Sequence, residues 1–324
     1  MNSNILSFEN TDRLKGLLIL LIIFGHISQI FEKHDLLMAT LYSFHVVSFL
    51  LLPFLFNKDL LNYKNILKNL KRIYIPYTIF FILALASYSI LEHHFDPISA
   101  LKTWSIGSSY YLKIDIGLRV LWFFPALMFS ILLIMIYNTL SIEFKRVFLF
   151  LMFMLHIIIP FIPDNYLFEF PLSSYVSIYL FIVGITVQHI YKNFNYSKYP
   201  TWLYTLLFLS ALYIAYGSDF SLASAIFPNI IDNTFNFILQ DIIMVLSFFT
   251  LIMWSRKIKF FETFGKYSLA IFTIHPFVIQ ALNMVHSWSG VTEGFIKFLL
   301  VVPITYAIVK VVYFFKINKI LYPH

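Results

Sequence analysis

The sequence contains no cysteine. Disulfide bonds, thiolate ligands for a metal and a cysteine nucleophile are therefore excluded. Charged residues are also scarce, because they make up only 12% of the chain, whereas a soluble domain contains roughly 25%. So little charge over 324 residues is not typical of a soluble globular protein.

Apolar residues make up 60% of the chain. They occur in runs of about 20 residues, long enough to cross a hydrocarbon core of roughly 30 Å as a helix. The pattern predicts an all-α integral membrane protein, a bundle of about ten transmembrane helices forming one multi-span domain over residues 1–324, with no appended soluble domain. The first span is not a cleavable signal peptide, because it begins with charges and lacks a small-residue cleavage site. The predicted spans are residues 14–31, 37–56, 74–91, 121–137, 146–161, 174–190, 202–216, 236–254, 268–285 and 294–315.

The basic residues predict how these spans are oriented. When the connections are assigned alternately to two sides, the side with both termini holds 18 of the 23 lysines and arginines. Because cytoplasmic loops carry an excess of lysine and arginine, both termini are predicted to be cytoplasmic. The net charge of +7 therefore indicates membrane topology and not a nucleic-acid partner.

The first span, "DRLKGLLILLIIFGH" (12–26), places Lys15 eleven residues before His26. Eleven steps of 100° come to about 1100°, roughly 20° past three turns, so both side chains leave an ideal helix on nearly one face, about 16 Å apart along the axis. Ionisable residues at membrane depth often mark function. The alternative is that Lys15 anchors the helix at the interface while His26 hydrogen-bonds a neighbouring helix. The sequence leaves both interpretations open.

Lys71 and Arg72 lie at the cytoplasmic end of the third span, in "KNLKRIYIPYTIF". Topology alone would place basic residues there, but lysine and arginine also suit a phosphate site. In the ninth span, "FGKYSLAIFTIHPF" places His275 directly before Pro276. A proline at this depth indicates either a cavity or a packed kink with a hydrogen-bonded histidine.

Three other features of the sequence indicate function more weakly. Asp241 lies inside the eighth span, where an unpaired anion would be unusual. We therefore expect it to pair with one of the histidines in the half of the membrane that faces away from the cytoplasm. We expect His156 to be structural, because nothing nearby supports a functional role. The long outer connection 92–120 is either a plain connector or a functional segment, namely a lid or a saccharide-contacting surface.

Five segments, in chain order, resemble motifs of the membrane-bound acyltransferase family 3, and most closely those of its sugar O-acetylase branch. They are "KGLLILLIIFGH" (15–26), "FHVVSFLLLPFLF" (44–56), "KRIYIPY" (71–77), "LWFFPALMF" (121–129) and "FGKYSLAIFTIH" (264–275). Lys15 stands where the family more often has arginine. Val46, Val47 and Pro53 replace the usual methionine, proline and glycine of the second motif. The resemblance extends over the whole chain.

The resemblance implies a multi-pass enzyme of the bacterial cytoplasmic (inner) membrane. Such an enzyme takes an acyl group, commonly acetyl, from cytoplasmic acyl-CoA. It transfers that group to a hydroxyl of a cell-surface carbohydrate or of its lipid-linked precursor. The expected partners are therefore acyl-CoA, with acetyl-CoA as the donor substrate, a carbohydrate acceptor and membrane lipid, without metal or nucleic acid. The oligomeric state is not predicted.

Acyl transfer requires a base for the hydroxyl, stabilisation of the oxyanion and a binding site for the donor. We expect His26 to be the base or to carry the acyl group transiently. Lys15 would attract the anionic donor or orient the reacting group. The further candidates for binding substrate or acyl-CoA are Arg13, His45, Lys71, Arg72, Trp122, Asp241, Ser268 and His275.

A different function class also fits several spans with intramembrane histidines, namely a proton-coupled transporter or flippase of a sugar or lipid-linked saccharide. The sequence shows no inverted repeat and no matching pair of broken helices, the features that would favour a transporter. A membrane scaffold or sensor is a third alternative.

Overall fold

The computed structural model describes residues 8–31, 40–41, 44–92, 96–107, 119–162, 172–193, 198–217 and 234–323. Within these ranges the regular elements are helices and no strand occurs, which confirms the predicted all-α class. Contacts along the chain divide it into two compact units. The first comprises Met1–Phe49 and Thr186–Val312, and the second comprises Leu50–Ile185 and Tyr313–His324.

A helix covers all or part of each predicted span. This is the structure expected of long apolar runs, because a helix satisfies its backbone N–H and C=O groups within one segment. The α-helices of the described residues are α1 (Phe8–Gly25), α2 (His45–Phe56), α3 (Tyr63–Glu92), α4 (Pro97–Ile106), α5 (Phe123–Thr139), α6 (Ile142–Ile158), α7 (Leu172–Asn193), α8 (Thr201–Gly217), α9 (Thr234–Ser255), α10 (Phe260–Gly265), α11 (Ser268–Val285), α12 (Gly290–Phe314) and α13 (Asn318–Leu321). Short 3₁₀ turns lie at Ser28–Phe31, Arg119–Trp122 and Ile159–Phe161.

Five helical segments of the described residues are long and apolar enough to cross a membrane. They are Tyr63–Tyr88, Val120–Thr139, Ile238–Ser255, Ser268–Val285 and Gly290–Phe314. Two shorter apolar helices, His45–Phe56 and Thr201–Ile214, lie at predicted spans. The protein is therefore an α-helical membrane protein, and a ten-span bundle with cytoplasmic termini stays a prediction.

The first span differs from its prediction. The α-helix ends at Gly25 rather than continuing to residue 31, and a 3₁₀ turn follows at Ser28–Phe31. Its other end carries several charged residues, which together with the early stop shortens its apolar stretch. His26 is consequently the first residue after the α-helix and does not lie within it.

In the first unit, α1 packs against α10 with almost no space between the two backbones. A Cβ atom on Gly16 would overlap the carbonyl oxygen of Phe261, and a Cβ atom on Gly265 would overlap that of Asp12. Small residues permit this close approach between helices in membranes. Through these two glycines the first motif of the sequence, 15–26, meets the last, 264–275.

In the second unit, a core of large apolar side chains joins α2, α5, α6 and α7. Its buried members are Phe54, Ile134, Met152 and Phe181. His156 lies beside this core, where its Nδ1–H donates to the carbonyl of Tyr179 at 2.6 Å and its ring stacks on the tyrosine. These contacts support the structural role predicted for His156.

Part of the long connection 92–120 is a helix of the second unit, α4. Asp96 caps α4 by accepting from the amide of Ile98 at 3.0 Å. Trp104 of α4 donates its indole N–H to Thr78 at 3.2 Å, and its carbonyl accepts from the hydroxyl of Tyr77 at 2.8 Å. This segment therefore packs on α3. Residues 93–95 and 108–118 lie outside the described residues, and a lid role stays a prediction.

Candidate functional site

Two histidines from distant parts of the chain meet in the first unit. The Nδ1 of His26 lies 2.8 Å from the Nε2 of His275, although 249 residues separate them in the sequence. The two rings are nearly parallel, with an interplanar angle of 9°. His275 is completely buried inside α11, whereas His26 is partly exposed at the end of α1. The pair therefore joins a fully buried histidine to a partly exposed one.

The hydrogen bonds of the pair determine which nitrogen of each neutral ring carries the proton. The Nδ1 of His275 lies 3.1 Å from the carbonyl of Ile271, and a carbonyl can only accept, so this nitrogen must donate. The Nε2 of His275 is then the acceptor, and the Nδ1–H of His26 is the donor. This arrangement leaves a basic lone pair on the Nε2 of His26. In a catalytic triad, a second residue likewise holds the base in one tautomer through a hydrogen bond.

Pro276 explains part of the position of His275. Proline has no N–H, so the carbonyl of Phe272, four residues earlier, loses its donor within the helix. The imidazole of His275 interacts with this carbonyl as well as with that of Ile271. The helix continues through Pro276 to Val285. Of the two alternatives for the proline, the structure favours a packed helix with a hydrogen-bonded histidine.

His45 is the third histidine of this region. It is completely buried at the start of α2, where its Nδ1–H donates to the carbonyl of Leu41. The first and last motifs of the sequence thus contribute one histidine each to the pair, and His45 of the second motif lies in the same unit.

A network of ion pairs lies at the other end of α1. Lys15 pairs with Asp12 at 3.1 Å, and its side chain is 32% exposed. Arg13 donates to the carbonyl of Arg256 at 3.1 Å and lies 3.5 Å from the carboxylate of Glu262. These contacts hold the beginning of α1 against the segment between α9 and α11.

Lys266 completes this network. Its ammonium lies 2.8 Å from the carboxylate of Glu262. The hydrogen bond from Lys266 is the main reason why the pKa of Glu262 lies below its usual value, and Arg13 acts in the same direction. The pKa of Lys266 is raised by the same hydrogen bond. Both groups are therefore charged at neutral pH.

A cavity of about 690 Å³ opens beside this network. It combines three cationic side chains with two aromatic ones, and no carboxylate belongs to its lining. The lining residues are Asn10, Arg13, Tyr199, Pro200, Thr201, Trp202, Met253, Arg256 and Lys257. Among the residues that the structure describes, no carboxylate pairs with Arg256 or Lys257. Cations next to aromatic rings are suited to a nucleotide, whose phosphates are anionic and whose base stacks.

The other sequence candidates lie at separate positions. Lys71 and Arg72 are exposed on α3, and Trp122 is buried directly before α5, all in the second unit. In the first unit, Ser268 is half-buried as the first residue of α11, and Asp241 is half-buried on α9. The roles of these five residues, including a partnership of Asp241 with a histidine, stay predictions. Within the described ranges no group of three or more metal-ligating side chains could hold a metal ion.

Sequence reasoning did not find several residues of the site. Asp12 and Glu262 are acidic residues in segments where the topology rule directs attention to basic ones. Arg256 and Lys257 contribute to the cytoplasmic excess of basic residues, and this rule assigns them no function. Tyr199 and Trp202 lie on either side of Pro200 in a basic connection. This grouping of aromatic residues with proline is the sequence feature that could have indicated the cavity.

Apolar spanning helices and a hydrogen-bonded imidazole pair define an integral membrane protein with a histidine-based site. A family model described as "Acyltransferase domain" matches residues 8–313. The chain therefore belongs to the membrane-bound acyltransferase family 3, which confirms the resemblance of its motifs, and the protein is a membrane acyltransferase. No curated protein and no solved structure gives a significant match.

Proposed function

We propose that the protein is an O-acetyltransferase of the bacterial inner membrane. It moves an acetyl group from acetyl-CoA to a hydroxyl of a cell-surface carbohydrate or of its lipid-linked precursor. The observation that carries this proposal is the hydrogen bond between His26 and His275, because it leaves the Nε2 of a partly exposed histidine as a base. A neutral imidazole is suited to general-base catalysis near neutral pH.

The chemistry follows from this tautomer. The Nε2 of His26 takes the proton of the acceptor hydroxyl while the hydroxyl oxygen attacks the thioester carbonyl. The tetrahedral oxyanion then collapses, the carbon–sulfur bond breaks, and the CoA sulfur leaves with the proton held by His26. His275 is a positioning residue, because its Nε2 accepts from the Nδ1–H of His26 and stabilises the imidazolium that forms.

The cavity at the beginning of α1 supplies a binding site for the donor. Arg13, Arg256 and Lys257 bind the phosphates of CoA, while Tyr199 and Trp202 contact the adenine. Lys15 lies at the same end of α1 as Arg13, where it pairs with Asp12 and adds positive charge. His26 directly follows α1 and lies thirteen residue steps after Arg13, a rise of roughly 20 Å at the helical repeat. An extended pantetheine arm spans such a gap and brings the thioester to the histidine. A phosphate contact by Lys71 and Arg72, which belong to the second unit, stays a prediction from the sequence.

The experiment that tests the function uses membranes from cells that overproduce the protein, supplied with acetyl-CoA labelled in the acetyl group. We expect label in glycan, in amounts that depend on the protein. A glycan mass spectrum with and without the protein should show an added acetyl mass. Donor-independent sugar uptake or flipping, without labelled glycan, would support the transporter alternative and contradict the proposal.

The donor site leads to a more specific prediction. The double variant Arg256→Gln/Lys257→Gln should raise the KM for acetyl-CoA by about tenfold or more, because two charge-assisted contacts to phosphate are lost. The value of kcat should change little, since neither residue touches the reacting atoms. Initial rates at several acetyl-CoA concentrations separate the two constants.

Lys259→Gln is the matched control for charge. Lys259 is exposed in the same connection but does not line the cavity, so its removal should leave the KM within about twofold. An equal increase of KM in both variants would indicate a general loss of surface charge and would argue against the cavity as the donor site.

A further inference from the structure

A buried lysine lies at the end of α1 that carries His26. Lys297 belongs to the second turn of α12 and is only 1% exposed. Its ammonium donates to the side-chain oxygens of Asn283 at 2.5 Å and Gln29 at 3.3 Å. Asn283 lies near the end of α11 and Gln29 in the 3₁₀ turn after α1. Lys297, Asn283 and Gln29 are called the lysine–amide cluster below.

The ammonium of this cluster has no counterion among the described residues. Glu293 occupies the position four residues before Lys297, from which a glutamate commonly pairs with a lysine. Its carboxylate instead accepts from the amide of Ser289 at 2.7 Å and lies 3.5 Å from His286. The two amide oxygens solvate the ammonium but carry no net charge. A buried charge without a counterion is costly to folding, and the cost is offset when an anion binds.

Aromatic contacts place the cluster beside the histidine pair. Phe24, two residues before His26, packs edge to face against Phe298, the residue after Lys297, with ring centroids 5.5 Å apart. Gln29 follows His26 by only three residues. A Cβ atom on Gly294 would lie 2.8 Å from the amide nitrogen of Ile30, so α12 lies directly against this turn. The base and the buried cation therefore lie at the same end of α1, opposite the donor cavity.

We propose that the lysine–amide cluster binds an anionic group of the acyl acceptor, a carboxylate or a phosphate. The inference rests on the proposed function, because only a transferase has an acceptor. Two N–H groups of the ammonium are engaged by the amides, and the third donates to the anion. Asn283 is exposed, and this marks the side from which the acceptor arrives. The acceptor is thus a sugar acid or a phosphosugar, and its anionic group orients a nearby hydroxyl toward His26.

Anion-exchange chromatography of the labelled glycan from wild-type membranes tests this assignment. We expect the label to be retained on the column and to elute with salt. In Lys297→Gln the label should fall by about tenfold or more, the factor that one charge-assisted hydrogen bond represents. Lys297→Arg, which keeps the charge, should restore a substantial part of it. The control Lys319→Gln removes an exposed lysine of α13 and should leave the label unchanged.

Three outcomes would overturn the inference. Label in unretained, neutral glycan would show that the acceptor carries no anion, and full labelling by Lys297→Gln would show that the lysine does not bind one. The third concerns the headgroup of an anionic lipid. The Tm of the wild type and of Lys297→Gln is measured in phosphatidylglycerol and in phosphatidylcholine vesicles. If phosphatidylglycerol raises the Tm of the wild type but not that of Lys297→Gln, and the variant keeps its labelling, the ligand of Lys297 is a lipid headgroup. Failure of wild-type membranes to transfer any label would instead contradict the proposed function itself.

Discussion

His26→Ala is expected to lower the rate of acyl transfer by about 10²–10⁴-fold, the range that a positioned general base contributes. The variant removes the Nε2 lone pair that accepts the hydroxyl proton, while the buried His275 keeps its bond to the carbonyl of Ile271. The fold should remain, because His26 follows the end of α1 and is partly exposed. Transfer of labelled acetyl, divided by the amount of protein in the membrane, measures the effect.

His189→Ala is the matched control for this variant. His189 is an exposed histidine of α7 whose ring lies 3.2 Å from the side-chain amide of Asn193, and it takes no part in the histidine pair. Its removal should leave the transfer rate within about twofold, as most surface substitutions do. Full activity of His26→Ala, at equal protein in the membrane, would remove His26 from the mechanism.

Gly16→Ala is expected to destabilise the protein strongly. The added Cβ would overlap the carbonyl oxygen of Phe261, and a backbone atom cannot rotate away as a flexible side chain can. Overpacking in a close-packed interior costs about 1–3 kcal/mol, and forced separation of two helices costs more. Because Arg13 and Glu262 lie at this contact, their ion pair should also break. The Tm of the protein in detergent and its yield in the membrane should both fall.

The control for this second variant is Leu17→Ala. Leu17 neighbours Gly16 on α1 and is half-buried, so the change removes atoms without adding any to the contact. Its effect on Tm should be clearly smaller than that of Gly16→Ala. If Gly16→Ala kept the Tm of the wild type, the close packing of α1 on α10 would be contradicted.

The helices were largely predictable, because each apolar run forms a helix from local information alone. The predicted span 268–285 matches α11 at both ends. The prediction for the first span was wrong at its end, since α1 stops at Gly25. The sequence contains only a weak sign of this stop, because Gly25 lies at the end of the apolar run and the polar Ser28 and Gln29 follow soon after it.

Individual site residues were predictable where an ionisable group lay within an apolar run. His26, His45 and His275 were found in this way, because a polar group in hydrocarbon requires a reason. Lys297 was not found, because a lysine near the end of a span is usually an interfacial residue whose ammonium reaches water. Its burial depends on the packing of α12 against the turn after α1, which no local pattern reveals.

The membrane class, the positions of the helices and the motifs of the acyltransferase family follow from the order of residues alone, since each is a property of a short segment. Tertiary packing determined which side chains of the site contact each other. The glycine contact between α1 and α10 determines that Arg13 meets Glu262, and the approach of α11 to the end of α1 determines that His26 meets His275. These residues are distant in the chain, so their pairing depends on how whole helices pack and on the directions in which side chains leave them. The proposed chemistry depends on which ring nitrogen of His26 carries the proton. This tautomer is determined by the hydrogen bond to His275, and therefore by the tertiary structure.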